Sequence, residues 1–298
     1  MRRAIVPVAS MLAIQVMISL SVLSLSVMMP AVASDLAIDP KLVGVFTALI
    51  YAVATIASLA AAGPIVRLGA VRVCQVALLV GAAGLALNSL ALVAATVGAV
   101  LLIGVAQGPT NPASAHILAQ RVPREYFGMV FSVKQTGTPL GFALAGILFP
   151  ALLEWVGWRG ASLIAAAMLV VAAILIEPLR PRLDVVTVAD RPKRSIWRSI
   201  QFVLAHPQLR VLGCSAFVFV VAQHTFTFYL VTYLYEHCGL SIARAGFLLF
   251  LSQIVGAAVR LVSGGLGDRM PRMKLLGWTR SEEHTSELQS HHDLVCRL

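Results

Sequence analysis

The chain has 298 residues, of which 59% are hydrophobic and only 12% charged, and its mean hydropathy is +0.87. A soluble domain carries roughly 25% charged residues, so an ordinary globular protein and a disordered chain are both excluded. The net charge of +10 is spread along an apolar chain, so its position decides its meaning, and the composition is that of an all-α polytopic membrane protein.

About 20 apolar residues of helix cross a hydrocarbon core. That rule gives eight spans in chain order: 6–31, 42–62, 73–93, 96–118, 127–151, 158–177, 209–235 and 243–263. Arg2 and Arg3, the apolar run behind them and Ala31-Val32-Ala33 also fit a signal peptide. A signal h-region is only about 7–15 residues, and this run is far longer, so it is read as a retained helix. Only a few uncharged residues divide spans three and four. The four cysteines include no C-x-x-C pair, and no metal site is expected.

The basic residues sort by side. Arg2, Arg3, Arg67, Arg72, Arg121, Arg124, Arg180, Arg182, Arg191, Lys193, Arg194, Arg198, Arg269, Arg272 and Lys274 share one side of this topology. Lys41, Arg159 and Arg244 fall on the other. The positive-inside rule then puts the N-terminus and the even-numbered connections in the cytoplasm, in a multi-pass protein of the cell membrane. The charge is therefore topological. The expected partners are the bilayer and a small-molecule solute, and no nucleic acid.

The connection after span six is the longest, and it carries Pro178, Pro181, Pro192 and six of these basic residues. After span two the chain runs Ala62-Gly63-Pro64-Ile65-Val66-Arg67-Leu68-Gly69-Ala70-Val71-Arg72, and after span eight Gly264-Gly265-Leu266-Gly267-Asp268-Arg269-Met270-Pro271-Arg272. A short cytoplasmic turn needs Gly where backbones approach closely. Its Arg can pair with a carboxylate or with helix C-terminal carbonyls, locking two helices in one state and releasing them in the other.

Both loops resemble the G-x-x-x-D-R-x-G-x-R loop of the major facilitator superfamily, and they follow the second helix of each half, where that family places it. The resemblance singles out Gly63, Arg67, Gly69, Arg72, Gly264, Asp268 and Arg269. The first copy departs from it, with Ala62 at the Gly position and Val66 at the Asp position. Pro30 to Leu36, Gly157-Trp158-Arg159 and Tyr233 to Ser241 are also similar to the family's habits. The resemblance implies a twelve-helix secondary transporter, monomeric when full length, with its cavity between two halves. On that reading 1–177 is the six-helix first half, 178–207 the cytoplasmic linker, and 208–279 the first two helices of the second half.

Residues 280–298 read differently. Arg280 to Ser290 and Leu294 to Leu298 match the translation of a sequencing adapter, with His291, His292 and Asp293 where a barcode falls. This stretch is expected to be non-native, and the natural protein to be longer. His284, His291 and His292 are accordingly not read as metal ligands.

Ionisable and amide side chains within spans are costly and are functional candidates by default. Lys134 comes about eight residues into span five, about 12 Å deep at 1.5 Å per residue. It either faces a cavity or snorkels to the interface. Near the midplane its ammonium would suit a carboxylate or another small anion. Gln135 follows it. Gln107 and Asn111 share a face of span four, and Gln15, Ser19 and Ser26 share a face of span one. Span seven offers Gln223 and His224, the latter suited to proton coupling. Gly104 and Gly108, and Gly137 and Gly141 with Pro139 between them, form small-residue faces for helix packing. Arg260 and Gln253 are assigned to packing and the interface.

The expected function is secondary transport of a small solute, with an organic anion favoured, by alternating access, and the fragment by itself is expected to be inactive. No catalytic residues and no cofactor are expected; no carboxylate lies clearly inside a span, so proton coupling through Asp or Glu is unsupported in spans one to eight, while proton or ion coupling in general stays open. A solute sensor of similar fold is the alternative. An intramembrane enzyme would need a clustered nucleophile and base, or a motif such as H-E-x-x-H, and none is present.

Overall fold

The computed structural model describes residues 2–122, 126–184, 201 and 204–267. Arg124, Glu125, Arg191, Lys193, Arg194, Arg198, Asp268, Arg269, Arg272, Lys274 and all of 280–298 lie outside the described residues.

Among the described residues the fold is helical throughout. Its elements are α1 (Arg2–Leu36), α2 (Val43–Ala60), α3 (Ala62–Leu68), α4 (Ala70–Asn88), α5 (Val93–Arg121), α6 (Phe127–Gln135), α7 (Gly137–Ile176), α8 (Arg180–Leu183), α9 (Pro207–Glu236) and α10 (Ile242–Gly267). Helix is the form that satisfies every backbone polar group within one segment, which a hydrocarbon environment demands. The chain turns at isolated positive-φ residues: Ala37, Gly69, Ala91, Gly157 and Gly239.

Seven helical stretches among the described residues are long and apolar enough to cross a membrane. One of them, Gly128–Leu179, has 52 residues. That is about 78 Å of helix, more than twice the hydrocarbon thickness of about 30 Å. It breaks at Gly157, where φ 67 and ψ 176 lie in a region that only glycine enters freely. The limb before Gly157 runs alongside α1 from Gly137 against Gln15, and just past the break Trp158 is bonded to Asp35 near the end of α1. The limb after it runs back along α4, with Ser162 meeting Asn88 and Ala173 meeting Gln75. Spans five and six are thus two antiparallel limbs of α7, and eight crossings fit the described helices.

α1 forms the centre. Met11, Ile14, Ile18, Leu23 and Met28 are fully buried. Ser21 and Ser24 hide their hydroxyls by donating to the carbonyls of Ile18 and Ser21, each at 2.7 Å. Small residues set the helix spacing around this core. A Cβ on Gly104 would stand 2.7 Å from the Ile50 carbonyl oxygen of α2, and one on Gly108 2.6 Å from the Ala57 Cβ. A Cβ on Gly137 would meet the Gln15 Cβ at 2.8 Å, and one on Gly141 the Ser19 Cβ at 2.7 Å. Pro139 is buried in the first turn of α7, where no intrahelical partner for its missing N–H is needed.

The first loop copy differs from the expected turn. Residues 62–68 form the helix α3, and a Cβ on Gly63 would meet open space, so close approach does not explain that glycine. The tight position is Gly69, at φ 91, where a Cβ would run into the Asp184 carboxylate. That carboxylate accepts from the Val71 N–H at 2.8 Å and so caps the start of α4. Arg67 is in the last turn of α3, and Arg72 pairs with Glu177 at 3.2 Å. Gly264 lies in the last turn of α10.

Candidate functional site

Between α2 and α5 lies a cleft of about 250 Å³. Its polar wall comes from two helical faces: Tyr51, Thr55 and Ser58 on α2, at helical spacing, and Gln107 and Asn111 on α5, one turn apart. The close crossing at Gly104 and Gly108 brings the two faces together. Gln107 carries a buried Oε1 with no hydrogen-bond partner among the described residues.

Lys134 reaches this wall through Asn111. It stands in the last turn of α6, just before the chain bends at Thr136 into α7. It is only 3% exposed. Its Nζ donates to Asn111 Oδ1 and lies 3.4 Å from Gln135 Oε1. The four-carbon stem therefore leads to α5 and an amide acceptor. The side chain of Gln135 is exposed.

From the second half, Arg260 of α10 directs Nη1 to the Gln135 carbonyl oxygen at 3.3 Å. His224 of α9 stacks at a tilt on Tyr51, with ring centroids 4.5 Å apart, and lies 5.7 Å from Phe228. Its buried Nδ1 has no hydrogen-bond partner among the described residues. Gln223 is half-buried beside it. Gln15 takes a different place: it packs under Gly137, donates from Nε2 to Ser19 Oγ at 3.2 Å, and leaves a buried Oε1 unpartnered among the described residues.

The fold thus gathers Gln107, Asn111, Lys134 and Gln135 on one side, with His224 reached through Tyr51. Tyr51, Thr55 and Ser58 were missed in the sequence, although their i, i+4, i+7 spacing in an apolar span was a readable signal. Arg260 was assigned to packing, yet its guanidinium meets the same residue as Lys134.

Chemically the wall offers an ammonium, amides and hydroxyls, and no carboxylate lies among the cleft-lining residues. Among the described residues no group of three His, Cys, Asp or Glu side chains is placed to hold a metal ion.

The sequence profile of the Major Facilitator Superfamily matches residues 11–281. An uncharacterized MFS-type transporter of Mycobacterium tuberculosis is 30% identical over 183 residues, 58% of this chain and 39% of that protein. A nitrite extrusion protein of Bacillus subtilis is 28% identical over 179 residues, 60% of this chain and 41% of its own length. A probable anion transporter of Oryza sativa is 28% identical over 203 residues, 61% of this chain and 46% of its own length. The chain spans less than half the length of these relatives. A membrane-spanning helical fold, small-residue helix crossings and a profile match over nearly the whole described region agree: the chain belongs to the Major Facilitator Superfamily.

Proposed function

We propose that the protein containing these residues is a secondary transporter that carries a small anion across the cell membrane by alternating access. The observation that carries this reading is the Lys134 ammonium, buried and turned onto Asn111, a residue lining a cleft without carboxylates. A buried cation is costly unless an opposite charge or strong acceptors compensate it, and an amide oxygen compensates only in part. An anionic solute completes the site. The names of two relatives, a nitrite extrusion protein and an anion transporter, favour the same substrate class.

Residues 1–177 form the first half and residues from 208 the start of the second, joined by the linker 178–207. The basic residues set the N-terminus in the cytoplasm. The halves meet where Tyr229 donates to the Lys41 carbonyl oxygen at 3.2 Å, where α7 crosses α10 at Gly146 and Gly246, and where Arg260 reaches the Gln135 carbonyl oxygen. His224, packed on Tyr51 of the cleft, would serve any proton coupling.

The test is uptake by the full-length gene product in proteoliposomes, using labelled nitrite, formate, acetate and succinate with glucose as a neutral control. Uptake of an anion that is lost in Lys134→Ala supports the reading. Uptake of none of the anions, or uptake indifferent to Lys134→Ala, rejects it.

A further inference from the structure

The cleft between α2 and α5 presents two levels of different chemistry. At Asn111 the amide oxygen is engaged by the Lys134 ammonium, which leaves the NH2 group of Asn111 to the cleft it lines. This level offers a donor backed by a positive charge. One helical turn away, about 6 Å along α5 at 1.5 Å per residue, stands Gln107. Gln107 is only 9% exposed, and its Oε1 is shut off from solvent with no hydrogen-bond partner among the described residues. Across the cleft, the Thr55 hydroxyl donates to the Tyr51 carbonyl oxygen at 2.8 Å, so toward a bound molecule it is an acceptor. The second level therefore offers acceptors, and one of them is empty.

Two other buried amides leave an oxygen unpaired, Gln15 and Asn88. Each of those places its NH2 on a neighbouring hydroxyl, of Ser19 and of Ser162, and neither lines the cleft. Among the described residues the Gln107 side chain makes no bond of that kind, so no helix-packing contact accounts for it. A buried amide oxygen without a donor costs about 1–3 kcal/mol. The last torsion of a glutamine side chain is broad, so the amide can turn its oxygen into the cleft that the side chain already lines.

We infer that the solute of this cleft carries a hydroxyl, or an equivalent hydrogen-bond donor, beside its anionic end, and that Gln107 is the residue that selects for it. The fitting class is the small hydroxy-carboxylates rather than the bare carboxylates. The inference rests on the reading of Lys134 given above for the anionic end, and it adds the second group of the solute and the residue that reads it. The volume of about 250 Å³ is below the range of about 300–1,000 Å³ usual for drug-sized ligands, so a solute of a few heavy atoms is the fitting size. An analogue without the donor leaves the Gln107 oxygen unpaired in the complex, which is how a polar site rejects it.

The experiment uses the purified full-length protein, with sodium glycolate, sodium acetate and sodium methoxyacetate as probes at constant ionic strength. Acetate lacks the hydroxyl, and methoxyacetate keeps its oxygen but has no proton to donate. Ligand-induced shifts of the unfolding midpoint give an apparent affinity for wild type, Gln107→Leu and Lys134→Gln. Wild type is expected to bind glycolate about tenfold or more tighter than either analogue, and in Gln107→Leu that ratio falls toward one. Lys134→Gln is expected to weaken all three probes and to keep the ratio. The comparison of probes on wild type needs no variant, so it reports even if Gln107→Leu fails to fold. If wild type binds the three probes alike and Lys134→Gln weakens them all, the inference falls and the reading of Lys134 stands. If methoxyacetate binds as tightly as glycolate, the proton is not read and the inference likewise falls. A preference for glycolate that survives Gln107→Leu overturns the assignment to Gln107. If wild type binds none of the probes, both readings fall together.

Discussion

Gly146 of α7 and Gly246 of α10 cross so closely that a Cβ on Gly146 would stand 2.7 Å from the Gly246 carbonyl oxygen. On the other side, a Cβ on Gly246 would come within 2.7 Å of Pro150 Cγ. Backbone faces backbone here, so no flexible side chain can yield. Gly146→Val is expected to cost about 1–3 kcal/mol through overpacking, or to push the two helices apart. Thermal unfolding of the purified full-length protein, compared with Gly213→Val where a Cβ meets open space, checks this.

The contact between Lys134 and Asn111 makes a charge-neutralisation prediction. Asn111→Asp would give the ammonium a carboxylate within reach and neutralise the site from inside. Anion uptake in proteoliposomes is expected to fall about tenfold or more while folding is retained. Unchanged uptake with a folded protein would show that the ammonium has no part in binding the solute.

At the start of α4 the Asp184 carboxylate and Gly69 constrain each other. Gly69→Ala forces an L-residue to φ 91 and ψ 150 and pushes its Cβ into Asp184, a loss of about 1–3 kcal/mol in backbone strain alone. Asp184→Ala removes the cap on the Val71 N–H and is expected to cost about 1 kcal/mol. Hydrogen exchange at Val71 and Arg72 is the direct readout: it should quicken in both variants and stay unchanged at Asn88.

The Asp35–Arg159 pair makes the opposite expectation. Its side chains are 42% and 58% exposed, and it sits at a helix end where solvent and salt screen it. Asp35→Asn keeps an oxygen for the Trp158 indole N–H and is expected to shift the unfolding midpoint little. Most of that shift should vanish at high salt. A large, salt-independent loss would mean that the pair is dehydrated in the folded protein.

Much of the fold was legible because long apolar runs leave the backbone no alternative to helix. The ends were less so. α1 continues through Asp35 to Leu36, beyond the predicted 31, because Arg159 and Trp158 of α7 satisfy a carboxylate that in isolation marks the end of a span. Gly63-Pro64 reads as a turn, yet Pro64 falls in the first turn of α3, where a missing N–H is tolerated. The site divides in the same way. Lys134, Gln107 and Asn111 stand out in sequence as polar groups in apolar spans. That Lys134 meets Asn111, 23 positions away, and that Arg260 meets Gln135, 125 positions away, follows from helix packing that periodicity does not encode.

The hairpin at Gly157 also sets two indoles in opposite surroundings three residues apart. Trp155 is 86% exposed, whereas Trp158 is 7% exposed, hydrogen-bonded to Asp35, with the Arg159 guanidinium 5.6 Å over its ring. Light absorbed at the tip of the fifth and sixth spans is therefore emitted from two distinct populations. The red-shifted one follows the water and headgroups around Trp155. The blue-shifted one follows the seam between α1 and α7, so any motion that parts Asp35 from Trp158 is visible in the protein's own fluorescence, with no attached dye.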